Sequence, residues 1–113
     1  MAATPESKVK KKVHATLKSY GAYAVNYIGG QYANNGTPDI LACLNGFFIG
    51  IECKAGRGMP TALQIKNLRD IAKTGGLALV INEDNLGYLE ESLNDIKHAQ
   101  SNYHLFAREA EGE

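Results

Sequence analysis

The stretch Gly36-Thr37-Pro38-Asp39-Ile40-Leu41-Ala42-Cys43-Leu44-Asn45-Gly46-Phe47-Phe48-Ile49-Gly50-Ile51-Glu52-Cys53-Lys54 decides how this chain is read. Two mostly apolar runs flank Asn45-Gly46, the strongest short-range hairpin signal, because both central residues of such a turn take positive φ. A two-residue turn there sets the pairing: Leu44 opposite Phe47, Ala42 opposite Ile49, and Asp39 opposite Glu52. Side chains alternate along a strand, so Lys54 shares a face with Glu52. Two carboxylates and an ammonium thus gather at the open end of the hairpin. Directly opposed like charges destabilise a sheet. A divalent cation between them would remove that penalty.

Working outward, the 113 residues suffice for one domain with a single modest core. An apolar fraction of 44% and a charged fraction of 21% are those of an ordinary globular protein. No apolar run approaches the roughly 20 residues of a membrane span, and the polar, lysine-rich start has no secretory h-region. A cytoplasmic protein without membrane attachment is expected. Cys43 falls on the Asp39 face of the hairpin and Cys53 on the other, so the register does not let them bridge, and neither has the company of a zinc site.

The net charge is zero but unevenly spread. Residues 1–54 hold six lysines against Glu6, Asp39 and Glu52, and the remainder is correspondingly acidic. The basic half is the one with the carboxylate pair, which would suit a polyanion approaching one face.

Thr4 to Tyr20 reads as a helix, with Thr4 as N-cap, Pro5 at the first position and Glu6 in the positive first turn. Val9, Val13, Leu17 and Tyr20 recur at helical spacing, Glu6 lies on the same inward stripe, and Lys8, Lys11 and Lys12 point elsewhere. Gly21 ends the helix. Ala22 to Ile28 reads as a strand with Tyr23, Val25 and Tyr27 on one face. The stretch 29–36 is a loop, in which Tyr32 has two open roles, stacking on a base or packing on a partner. Pro38 suits the first residue of a strand.

After Lys54, a glycine-rich loop carries Arg57. A second helix spans Ala62 to Lys73, opened by a Thr61–Gln64 capping box and stopped by Gly75-Gly76. Leu68 and Ile71 form its inner face, with Gln64 one turn before. Leu77 to Ile81 reads as a buried strand, parallel to the second hairpin strand. Asn85 to Ala99 forms an amphipathic third helix, and a tail with Tyr103, Leu105 and Phe106 follows, expected to fray from about residue 107. The order α-β-β-β-α-β-α is an α/β fold with a central mixed sheet flanked by helices.

Asp39, Glu52 and Lys54 converge with Glu6 at one end of this sheet. Oxygen donors in this number suit a hard cation such as Mg²⁺ or Mn²⁺, which polarises a phosphoryl oxygen and acidifies a bound water. Lys54 is placed to orient or deprotonate that water. Glu6 has a competing role at the helix dipole, and Gln64 a competing role in its capping box. His14, His98 and His104 are scattered and pair with no serine or cysteine nucleophile.

Pro38-Asp39 followed by Glu52-Cys53-Lys54 resembles the PD-(D/E)XK nuclease signature. With Glu6 in the first helix, Gly36-Thr37 before the motif and the Gln64 helix after it, the pattern over residues 4–81 resembles the VRR-NUC branch. Gly50 to Gly58, with Pro60 to Gln64, looks especially like its small standalone phage members. The resemblance implies a restriction-endonuclease-like αβββαβ core and metal-dependent hydrolysis of DNA phosphodiesters. It implies that Asp39, Glu52 and the Cys53 backbone carbonyl hold Mg²⁺ or Mn²⁺, with Glu6 completing the shell directly or through water. Lys54 would position the attacking water, and Gln64 would assist from its helix. Arg57, Lys8, Lys11 and Lys12 are the candidate DNA contacts. Similar small relatives act as homodimers on branched DNA such as four-way junctions, in a host-cell cytoplasm if phage-encoded. A sequence-specific restriction-type nuclease and a non-catalytic DNA-binding domain are the alternatives.

Overall fold

The computed structural model describes residues 4–29 and 36–111, with side chains described as far as Ala99. Among the described residues, three helices and four strands follow in the expected order: α1 (Pro5–Ser19), β1 (Tyr23–Asn26), β2 (Ile40–Leu44), β3 (Phe47–Cys53), α2 (Ala62–Lys73), β4 (Leu77–Ile81) and α3 (Leu86–Glu111). The strands form one mixed sheet in the order β1-β2-β3-β4. β1 and β2 pair antiparallel, as do β2 and β3, while β3 and β4 run parallel.

The hairpin has the predicted register, from Leu44 opposite Phe47 to Ile40 opposite Ile51. Asn45 (φ 52°) and Gly46 (φ 91°) both take the left-handed conformation that a tight hairpin turn requires. Alternation along the strands then separates two faces. Ile40, Ala42, Leu44, Ile49, Ile51 and Cys53 point into the core, where Val9, Val13 and Leu17 of α1 and Leu89, Leu93 and Ile96 of α3 meet them. Gly50 and Glu52 lie on the opposite face, under α2. There a Cβ on Gly50 would come within 2.5 Å of Ile71 Cδ1 and 3.1 Å of Pro38 Cγ. The missing side chain is what lets α2 sit close to the sheet.

The caps were legible. Thr4 Oγ1 accepts from the Ser7 N–H (3.1 Å), and the Thr61–Gln64 box closes in both directions. Three expectations are corrected. β1 is shorter than Ala22 to Ile28, although Tyr27 N–H still donates to the Asp39 carbonyl (2.8 Å). Its Tyr23 and Val25 sit on the α2 side, where α2 does not cover them, and Tyr23 is 73% exposed. β4 is a strand at the sheet's edge with Leu77, Ala78 and Val80 half-buried, because only one neighbour, β3, pairs with it among the described residues. α3 runs on past Ala99 to Glu111, there being no glycine or proline before Gly112 to stop it. The readings of Tyr32 and of the side chains of Tyr103, Leu105 and Phe106 fall outside the described residues. Among the described residues no helix is long and apolar enough to cross a membrane.

Candidate active site

The open end of the hairpin is where the charged residues meet. β2 begins only at Ile40, so Asp39 stands just before the ladder and its carboxylate replaces a backbone partner: Oδ2 accepts from the Cys53 N–H (2.9 Å). The next N–H along β3, that of Lys54, turns the other way and donates to the Ile81 carbonyl (2.9 Å). In a strand the N–H and C=O of one residue point the same way. The Cys53 carbonyl therefore faces the Asp39 side.

Glu52 is 2% exposed, and it is the only buried charged residue among those described. Its Oε2 accepts from Gln64 Nε2 (3.0 Å) and lies 3.5 Å from Lys54 Nζ. Its Oε1 is buried with no hydrogen-bond partner. Burial, then the facing charge of Asp39 and a hydrogen bond to Asp39 in the protonated form, push the Glu52 carboxyl up to about 7, against the opposing pull of Lys54. A carboxyl so held is short of positive charge. Burial, and then Asp39, also push the Cys53 thiol up to about 12, which keeps it protonated and unsuited to act as a nucleophile.

Gln64 makes two contacts at once. Its Oε1 accepts from the Thr61 N–H (2.8 Å), completing the capping box, while its Nε2 holds Glu52. The two ends of one amide thus tie the start of α2 to the carboxylate pair.

The structure brings Asp39, Glu52, Lys54, Gln64 and the Cys53 backbone together. Glu6 is half-buried in the first turn of α1, close enough for its charge to be felt at the Cys53 thiol. It does not make a third member of the carboxylate cluster: among the described residues no group of three His, Cys, Asp or Glu side chains is arranged to hold a metal ion. Lys8, Lys11, Lys12 and Arg57 are all exposed. Arg57 rides on a loop anchored where Glu83 Oε1 accepts from the Gly56 N–H (2.7 Å). His14 is tied to β1 through Asn26 (2.7 Å).

Two contacts escape the sequence reading, which weighs Lys10 with Lys8, Lys11 and Lys12 only as a solvated face or a DNA contact. Lys10 Nζ lies 3.7 Å from Asp39 Oδ1. The available signal was its position one helical turn after Glu6, on the same side of α1. Glu83 is 27 residues from Gly56, and nothing local announced that contact.

The donor set fits a hard divalent cation. The groups able to ligate it are oxygens, those of Asp39 and Glu52, and one buried carboxylate oxygen has no donor.

No protein-family model matches the chain, and no curated protein matches it. Solved structures do. A VRR_NUC domain superposes with a TM-score of 0.60 at 18% identity, over 85% of this chain and 97% of that one. Archaeoglobus fulgidus Hjc, a Holliday junction resolvase from an archaeal hyperthermophile, superposes with a TM-score of 0.53 at 19% identity, over 69% of each chain. The four-stranded mixed sheet with its flanking helices is thus a restriction-endonuclease-like fold, of the kind seen in the VRR_NUC domain and in Hjc.

Proposed function

We propose that this protein is a metal-dependent, structure-selective DNA endonuclease that hydrolyses phosphodiester bonds in branched DNA such as four-way junctions. The observation that carries the reading is the buried Glu52 carboxylate, faced by Asp39 and left with one oxygen unpartnered. A buried carboxylate oxygen left without a donor costs free energy even where the other oxygen is paired, a penalty that a purely structural strand end avoids with an apolar residue. The fold shared with a VRR_NUC domain and a Holliday junction resolvase supports the choice of substrate.

Asp39, Glu52 and the Cys53 carbonyl would hold Mg²⁺ or Mn²⁺, with Glu6 contributing through water from the first turn of α1. Bound there, the cation would neutralise charge on the phosphoryl oxygens and lower the pKa of water. Lys54, 15% exposed and reaching Glu52, orients the attacking water and stabilises negative charge as it develops on the phosphoryl group. Gln64 keeps Glu52 Oε2 directed at Lys54. Arg57, Lys8, Lys11 and Lys12 carry the backbone contacts that hold DNA across this end of the sheet. A homodimer would set two such sites against the two symmetric strands of a junction.

The test is Lys54→Ala, assayed with Mg²⁺ on a four-way junction, a flap and plain duplex. Cleavage is expected to fall at least about a hundredfold, with junction affinity and melting temperature little changed. Undiminished cleavage would sink the proposal. A wild-type protein that binds DNA and cuts none of the three would instead favour a binding domain on the same fold, and cutting at one fixed sequence in duplex a restriction-type enzyme.

A further inference from the structure

Four of the six lysines in the first half of the chain crowd into residues 8–12, and they are not equivalent. Lys8, Lys11 and Lys12 are exposed, whereas Lys10 is turned toward the site, 35% exposed, with Nζ 3.7 Å from Asp39 Oδ1. Its charge also registers at the Cys53 thiol, alongside that of Glu6. The N-terminal half of α1 therefore contributes a cation as well as a carboxylate to this end of the sheet.

The pairing divides the two carboxylates between two lysines. Lys54 attends Glu52 from the same strand, and Lys10 attends Asp39 from α1. Asp39 Oδ2 is committed to the Cys53 N–H, so Lys10 meets the other oxygen. At 3.7 Å and partly solvated, such a pair is weak and easily parted. A divalent ion bound to Asp39 would repel an ammonium this close. The unbranched lysine stem can swing away, and the anion then within reach is a phosphate of the DNA.

Resting on the metal-dependent reading above, we infer that Lys10 is a substrate-contacting side chain that also guards Asp39. Without the cation it neutralises Asp39 and competes for it. Once the cation binds, Lys10 is displaced and contacts a backbone phosphate. The two roles predict effects of opposite sign: removing Lys10 strengthens metal binding and weakens DNA binding. A lysine that only stabilises the fold would do neither.

The experiment is calorimetric titration of Mn²⁺ into the wild type, Lys10→Met and Lys18→Met, the last removing one exposed charge at the far end of α1. Lys10→Met is expected to bind Mn²⁺ about two- to fivefold more tightly, and Lys18→Met to match the wild type. DNA binding is measured with and without Lys10→Met in a Lys54→Ala background, on a four-way junction over a range of salt. The junction affinity should fall and the slope of log K against log[salt] should shrink by about one, with Lys10→Arg restoring both. Unchanged or weaker Mn²⁺ binding by a folded Lys10→Met, or an unchanged salt slope, overturns the inference and leaves the nuclease reading standing. A wild-type protein that binds no Mn²⁺ removes the metal site itself, and both fall.

Discussion

The two ends of the β2–β3 hairpin are built from the same ladder and governed by different physics. At the turn, Asn45 and Gly46 are exposed and carry positive φ, and Leu44 next to them is buried in the apolar core. At the open end, Asp39 leaves the ladder, gives its carboxylate to a backbone N–H, and faces a buried Glu52 that lacks a donor for one oxygen. The turn end is locally stable, and the open end carries strain of an electrostatic kind. The turn holds none of the candidate site residues yet sets the register on which the open end depends.

The largest expected effect comes from breaking that link. Inserting one glycine between Asn45 and Gly46 lengthens the turn, and a one-residue slip reverses which face each side chain takes. Glu52 would then leave Asp39, and junction cleavage should drop at least about a hundredfold. Full activity in the insertion variant would show that the two ends are uncoupled.

The charge at the open end can be read from stability. Glu52 titrates near 4.5 when unfolded and near 7 in the fold, so between those values the native state holds a proton that the unfolded chain releases. Stability then falls as pH rises through this window, the reverse of an ordinary salt-bridged carboxylate. In metal-free buffer, the wild type should melt at least about 5 °C lower at pH 8 than at pH 5, relative to Glu52→Gln over the same range. Equal pH dependence of the two proteins would mean that Glu52 carries no such burden.

The smallest effect belongs to the turn itself. Asn45→Ala keeps the turn length but places an alanine at φ 52°, costing about 1 kcal/mol. Melting temperature should drop by a few degrees with cleavage rates unchanged, and a large loss of activity would show that the turn does more than set register.

Much of the fold was legible because its signals are local. Thr4 and Thr61 announce caps within four residues of their partners, Asn45-Gly46 sets a register within two, and Gly75 stops α2 at the residue where the chain takes φ 96°. The Asp39–Glu52 opposition followed from that register, and the Gln64 position from its helix. The extent of β1 was less legible: apolar alternation predicts which face a side chain takes, and whether α2 lies over that face depends on where the helix docks. For the same reason Leu77 to Ile81, which reads as a buried strand, sits at the sheet's edge with only Leu79 and Ile81 buried.

By itself, the sequence determined the element order, the hairpin register and the identity of the carboxylate–lysine set, since each depends on backbone geometry over a few residues. Only the tertiary structure decided that Glu52 is buried with an unpartnered oxygen, that one amide serves both the Thr61 cap and Glu52, and that Lys10 rather than its neighbours reaches Asp39. Those facts depend on how α1 and α2 close on the sheet, and burial and charge pairing are properties of that packing.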